Sequence, residues 1–342
     1  MAVTAGIMNF DFSTTTTGLH EFPGVRWRAA SMNFVFVCAV IGGSWGSSQT
    51  SGTPNSVTAI EDTSTQSSYA NAHSYVEQPS QQLVKLIPEL KHLQPAPDQQ
   101  ALPEILHKTG LRVNDFFSNI VDLVAHEKIT QAKLGRGAAV TASQDTHDNY
   151  LLVLRSDEGR RRLDEYRMDS KGSHLEQVGL DEGYIITSGF AMSCTYFSTV
   201  MQAHTAFRYL GDERIDKHNT YVVAFAQRPY ETHSAGDTED VRVQHGKTVH
   251  ILVQGIAWVD KNDFQIVRLR ADLLAPRPEI GLDRQTTDVT FSEVRLRDIA
   301  APLWLPSAVK VYTRVHGHNF ENEHHYTDYQ RYRASAKVVI PQ

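Results

Sequence analysis

Apolar positions along this chain follow two periods. From residue 81 to residue 124 they recur every three or four positions, and beyond about His126 they alternate. In "QQLVKLIPELKHLQ", Leu83, Leu86, Ile87, Leu90 and Leu93 keep a helical spacing that Pro88 should bend or end. Asp98 is placed to cap a further helix. Leu102, Ile105 and Leu106 share one face of a short helix, which Gly110 should stop. Val113, Phe116, Phe117, Ile120, Val121 and Val124 then form an i, i+3, i+4, i+7 stripe, the mark of a second helix. Phe116 and Phe117 can serve there as packing against a sheet or as a plug that faces lipid.

The alternating part reads as long antiparallel strands. "DNYLLVLRSD" and "RRLDEYRMD" flank a charged turn, and a second hairpin turns at Asp216 to Asn219. In "TYVVAFAQ", Tyr221, Val223 and Phe225 fall on one face, and Val222, Ala224 and Ala226 on the other. A strand that is apolar on both faces lies between two layers, or has a close-packed object over its small face. A polar insertion, Arg228 to Lys247, precedes "TVHILVQGIAWVD" and "FQIVRLRADLL", which are joined by Lys261-Asn262-Asp263. The apolar phase of the second strand starts on Phe264 and Ile266 and continues on Val267, Leu269, Ala271 and Leu273. That single flip predicts a bulge or a strand leaving one layer. Val309, Val311, Thr313 and Val315 alternate with polar partners, as in a half-buried strand. The pattern is an α+β chain: a meander of antiparallel strands with helices at its front end.

Composition narrows the function classes. The chain has 342 residues and a formal net charge of −6, which argues against a general nucleic-acid surface. Its one tight basic run, Arg160-Arg161-Arg162, is matched by Asp157, Glu158, Asp164 and Glu165 and reads as a solvated hairpin tip. Cys38 and Cys194 provide neither a metal spacing nor a disulfide framework. Residues 1–46 form an N-terminal extension with a signal-like segment. Arg26 and Arg28 precede the apolar run Met32 to Ile41, and small residues follow at Ser44-Trp45-Gly46. The polar, Thr-rich start before it raises the alternatives of initiation at Val25, a tethering helix or a buried core segment. Cys38 is also a poor match to a lipid-attachment site. Residues 47–80 are rich in Ser, Thr, Gln, Asn and Gly and read as a disordered linker, which leaves 81–342 as a single domain.

Catalytic signatures are scarce: the sequence contains no H-E-x-x-H and no P-loop. "GRGAAV" at Gly135 lacks the third glycine of a dinucleotide loop and reads as a turn. His126-Glu127 is an isolated pair. His316, His318, His324 and His325 lie with Glu321 and Glu323 on two adjoining strands. They allow a surface zinc or nickel site, or an exposed hairpin tip with chance enrichment; residues on opposite faces of a strand cannot all ligate one ion. No cofactor is implied.

One resemblance adds to this. "FRYLGDERIDKHNTYVVAF" and "GIAWVDKNDFQIVRLRADLL" carry a G-x-E-x-I-D turn, Y-V-V-x-F, G-x-x-W-x-D and a returning I-V-R. With the "QTT…F…EV" and "LWLP" segments that follow, they resemble the LolA/LolB-like lipoprotein-carrier superfamily, in particular its larger bacterial secreted members. The likeness runs from about Ala206 to Arg333. It implies an antiparallel β half-barrel whose open face is closed by helices, with an acyl chain held between sheet and helices. Phe116, Phe117, Val222, Ala224, Phe225, Trp258 and Phe264 would then be wall and ligand-binding residues, with room over the small face of Val222, Ala224 and Ala226. Arg268 and Arg270 would lie on the outer polar face, or bind a lipid headgroup at the rim. The expected function is non-enzymatic: an exported protein of the periplasm or outer envelope that binds a lipid or lipoprotein acyl chain. The alternative is an envelope interaction module, with an envelope protein as partner and a sheet filled by its own side chains. A hydrolase using unrecognised polar residues stands third.

Overall fold

A computed structural model describes residues 69, 72–157, 160–169, 189–229, 239–242, 248–297 and 299–332. The signal-like segment 1–46 and residues 47–68 of the linker lie outside the described residues. Tyr69 and residues 72–80, also assigned to the disordered linker by sequence, belong instead to a packed arm. Among the described residues no helix is long and apolar enough to cross a membrane.

Thirteen named strands run along the chain: β1 (Gln94–Pro95), β2 (Leu123–Leu134), β3 (Val140–Asp157), β4 (Arg160–Met168), β5 (Thr205–Ile215), β6 (His218–Gln227), β7 (Glu239–Arg242), β8 (Thr248–Ile251), β9 (Val253–Asp260), β10 (Ile266–Leu273), β11 (Leu282–Val294), β12 (Leu303–Val315) and β13 (His318–Arg331). Eleven form one sheet in the order β1-β5-β6-β9-β10-β11-β12-β13-β2-β3-β4. The pairings are antiparallel, and the early hairpins β2, β3 and β4 join at the far side of the last strand. The sheet is open: its edges, β1 and β4, do not pair with each other. β7, in the polar insertion, pairs with β8 just after it as a separate two-stranded sheet.

The sheet has an inner and an outer face. Leu163 of β4 and Val223 of β6 belong to one connected core although their strands lie near opposite ends, so the sheet curls round that core. Helix α2 (Leu102–Asn119) buries Ile105, Val113 and Phe116 there, beside the 3-10 turn Ser193–Phe197. This is an open antiparallel half-barrel with a helix over its inner face, the fold class expected. The outer face is also covered. Helix α1 (Ser80–Leu86) and the turn Pro88–Leu90 press Leu83, Ile87 and Leu90 onto Val222, Ala224, Ile256 and Trp258.

Three expectations need correcting. The sequence suggested two helices separated at Gly110, whereas α2 runs unbroken through it. A Cβ at Gly110 would come within 2.7 Å of Gln202 Nε2 and 3.2 Å of Phe197 O, so this glycine permits close helix packing. Secondly, Val121 and Val124 fall beyond the helix, because the chain turns extended at Ile120 and enters β2. Thirdly, the small face of Val222 and Ala224 carries no open room, since Leu83, Ile87 and Leu90 fill it.

The phase flip in β10 is real. The ladder with β9 shifts register between Ile266 and Arg268, and this bulge puts both Val267 and Arg268 on the outer side, so that Leu269 joins Ile266 in the inner core.

Ala224 is fully buried beneath the α1 arm. Ala224→Trp should therefore destabilise the protein by about 1–3 kcal/mol or more through overpacking. Urea denaturation should show a lower midpoint, with no dependence on added lipid.

Candidate functional site

The motif residues of the two hairpins turn out to set architecture. Glu213 of the G-x-E turn accepts the Trp258 indole N–H at 2.9 Å, and its other oxygen accepts the His92 amide at 3.2 Å. One buried carboxylate thus ties the sheet to the covering arm. Asp260 of W-x-D caps the turn through the Asn262 amide at 2.7 Å and holds His218 Nδ1 at 2.6 Å. Gly255 is required because a Cβ there would collide with Arg270 O and sit 2.7 Å from the Phe225 ring. Arg268 lies over the Trp258 ring at 5.1 Å and pairs with Asp288. Arg270 pairs with Asp272 at 2.8 Å and Glu89 at 2.9 Å. The two arginines were expected opposite Val267 and Leu269; they lie opposite Leu269, but Val267 shares their outer face. That face is covered by the arm, so Arg270 is buried in an ion-pair cluster and stands away from a solvent rim.

The seven wall residues divide between the faces. Val222, Ala224 and Trp258 lie outside, under the arm, while Phe116, Phe117, Phe225 and Phe264 lie on the inner side. Phe225 is packed against Tyr196 and Phe197, with ring centroids 5.3 and 5.5 Å away, and so sits in filled core. Phe117 packs edge-on against Phe116 at 5.0 Å. Phe116 and Phe264 come together at a small, partly open pocket of about 20 Å³, shared with Cys194, Ile266 and Phe291. Phe116 also borders a cleft of about 150 Å³ at the C-terminal end of α2, walled by Pro302, Leu303 and Trp304 and rimmed by Arg112, Asp115 and Gln265. Sequence reasoning missed Trp304 and the whole rim, because they come from α2, the β9–β10 turn and the start of β12.

A second group was missed altogether. Glu127, read as part of an isolated pair, is fully buried and accepts Arg167 through both oxygens, at 2.7 and 2.9 Å. Its Oε1 also meets His324 Nδ1 at 2.8 Å. His324 is buried, not at an exposed tip, while its neighbour His325 points to solvent. Burial would raise the Glu127 carboxyl, but the Arg167 charge and the His324 hydrogen bond override it and hold the group at about 2. Burial pushes the His324 imidazole down, with Arg167 adding to the effect. Nearby, Glu165 accepts the Tyr150 hydroxyl at 2.6 Å and the amides of Gly189, Phe190 and Ala191. It anchors the segment that fills the inner face, and burial raises its carboxyl. The charged partners are mutually engaged, with the Tyr326 hydroxyl accepting from Arg167 at 3.4 Å. The arrangement fits structural tethering. Among the described residues no group of three His, Cys, Asp or Glu side chains could hold a metal ion.

No family model and no curated protein matches the chain. Among solved structures, it is similar to a DUF1329 family protein from Desulfovibrio piger ATCC 29098, at 11% identity and a TM-score of 0.34, over 68% of this chain and 94% of that one. It is also similar to a LolA superfamily protein from Nitrosomonas europaea, at 12% identity and a TM-score of 0.29, over 68% of this chain and 93% of that one. The half-barrel assignment rests on the sheet and its covering helix.

The buried pair sets a pH dependence. His324 has a lowered folded pKa, so its stabilising contribution is complete above its unfolded value of about 6.5 and is lost as pH falls below it. The Glu127 contribution is complete above about 4.5 and disappears as pH falls towards about 2. The difference in unfolding free energy between wild type and His324→Gln should therefore shrink as pH is lowered from 7 to 5 (approximate window from the imidazole reference value). Denaturation series at each pH check this, and a constant difference would contradict it.

Proposed function

We propose that the protein is a non-enzymatic cell-envelope protein that binds a lipid or lipoprotein acyl chain between α2 and the inner face of the half-barrel. The observation that carries this reading is the cleft of about 150 Å³ where Phe116, Leu303 and Trp304 bring apolar wall to the surface beside the helix. It leads towards the smaller apolar cavity behind Phe116. A hole of that size accommodates about one benzene ring. A whole acyl chain therefore needs the C-terminal half of α2 to shift, with the apolar strands behind it as wall. The signal-like segment supports export to the envelope.

A specific observation favours a second reading. Phe190, Tyr196 and Phe197 already occupy much of the inner face, as a side-chain-filled interaction module would have it. The protein would then engage an envelope partner through its surface.

Ala301→Trp separates the two. Ala301 is exposed at the cleft mouth, so a bulky ring there should leave the melting temperature within about 2 °C, as surface changes usually do. Under the first reading it weakens binding of a fluorescent fatty acid several-fold. A wild type that binds neither the fatty acid nor co-purified lipid, by titration and native mass spectrometry, leaves the interaction module.

A further inference from the structure

Two polar side chains at the same cleft have hydrogen-bonding groups to spare. Arg112 is tethered through Nε to the Asp263 carbonyl at 2.9 Å. Its Nη1 lies 3.7 Å from Asp115, too long for a good hydrogen bond, and both side chains are about half exposed. Such a pair is worth about 0–1 kcal/mol, so it is readily exchanged. Nη2 has no partner among the described residues. Gln265 faces both the cleft and the inner cavity, and its side-chain amide likewise has no partner among the described residues.

The backbone between them is held in an unfavourable conformation, with the Phe264 ring stacked on Tyr221 and lying under Lys108. Phe264 has φ +61°, a left-handed conformation that costs a bulky residue about 1–2 kcal/mol. The turn is held there by the Phe264 amide on Asp260 O at 3.0 Å and by Asp263 Oδ1 on the Gln265 amide at 3.0 Å. The result places the Phe264 ring in the inner cavity and Gln265 at the cleft rim. Strain of this kind persists where the surroundings over-determine it, commonly at ligand sites.

We propose that Arg112 and Gln265 form a head-group subsite for a carboxylate, so that the preferred ligand is a free fatty acid or similar amphiphilic acid. This rests on the acyl-chain reading above. The guanidinium edge suits a two-oxygen head, and the Gln265 amide supplies a neutral donor beside it. The apolar body lies against Phe116 and Trp304. Asp115 competes with the ligand for Arg112, which makes it a specificity element against weakly held anions.

The test is calorimetric titration of the full chain with dodecanoate, methyl dodecanoate and dodecyl phosphate. Wild type should bind dodecanoate more tightly than the ester. Arg112→Gln should weaken dodecanoate about tenfold or more, the effect of losing a charge-assisted hydrogen bond. It should not weaken the ester, because loss of the Arg112–Asp263 tie can only ease movement of the C-terminal half of α2. Asp115→Asn should tighten dodecanoate about two- to threefold, by removing the weak competing pair. Circular dichroism confirms that both variants fold. Equal binding of acid and ester, unaffected by Arg112→Gln, overturns the subsite and leaves the chain-binding reading intact. Preference for the phosphate over the carboxylate also overturns the subsite as proposed. A wild type that binds none of the three overturns both.

Discussion

The structure depends on one constraint: the central strands are apolar on both faces, and both faces must be covered. In β6, Val222 and Ala224 look one way while Val223 and Phe225 look the other, and all four are fully buried. An antiparallel sheet with one wet face would leave half of them in water. The chain meets this with two different covers. Its arm lays Leu83, Ile87 and Leu90 on the outer side, while α2 and the segment from Phe190 to Phe197 fill the inner side.

The covers are fixed by polar ties, because apolar contact alone does not set position. Outside, Glu213 joins Trp258 to the arm, Arg270 joins Glu89, and Arg208 donates to the carbonyl of Gln78 at 2.6 Å. Inside, Glu165 gathers three consecutive amides of the filling segment. Beside it, Glu127 and Arg167 neutralise each other, so that neither charge stands alone in the core. Removing one member of such a pair leaves a buried charge, at a cost of about 3–5 kcal/mol. The buried charged groups inside this half-barrel anchor its strands and the filling segment to one another.

What could be read from sequence follows the range of the interaction. The two faces of β6 and the phase flip near Phe264 are local patterns, and both appear in the structure, the second as the register shift at Ile266 and Arg268. The stripe of Leu83, Ile87 and Leu90 was legible as a helical face, but its spacing says nothing about which surface it covers. Gly110 looked like a helix stop because glycine usually is one. Its contact with Gln202 and Phe197 is tertiary and leaves no local mark. Glu127 and His324 are 197 residues apart, so their pairing could not be seen from either end. The candidate wall residues failed to assemble for a related reason. Strand alternation shows that Trp258 and Phe264 are apolar positions, but not that the turn between them puts them on opposite sides of the sheet.

The same packing limits how the inner face can admit a guest. Burying Ile105, Val113 and Phe116 stabilises α2 by about 5–9 kcal/mol, at about 1.5–3 kcal/mol for each full side chain. That is comparable with the whole stability of a typical domain, about 5–15 kcal/mol, so detaching the helix would amount to unfolding. The C-terminal half of α2 is held by less: Val113 and Phe116, about 3–6 kcal/mol, with Arg112 tying it to the hairpin turn. Gly110, between the halves, packs too closely against Gln202 and Phe197 to let the N-terminal half move with it. Under the proposed acyl-chain reading, a guest would enter most cheaply at the Phe116–Trp304 end, by local displacement about Gly110. Apolar surface of its own must replace what Val113 and Phe116 give up.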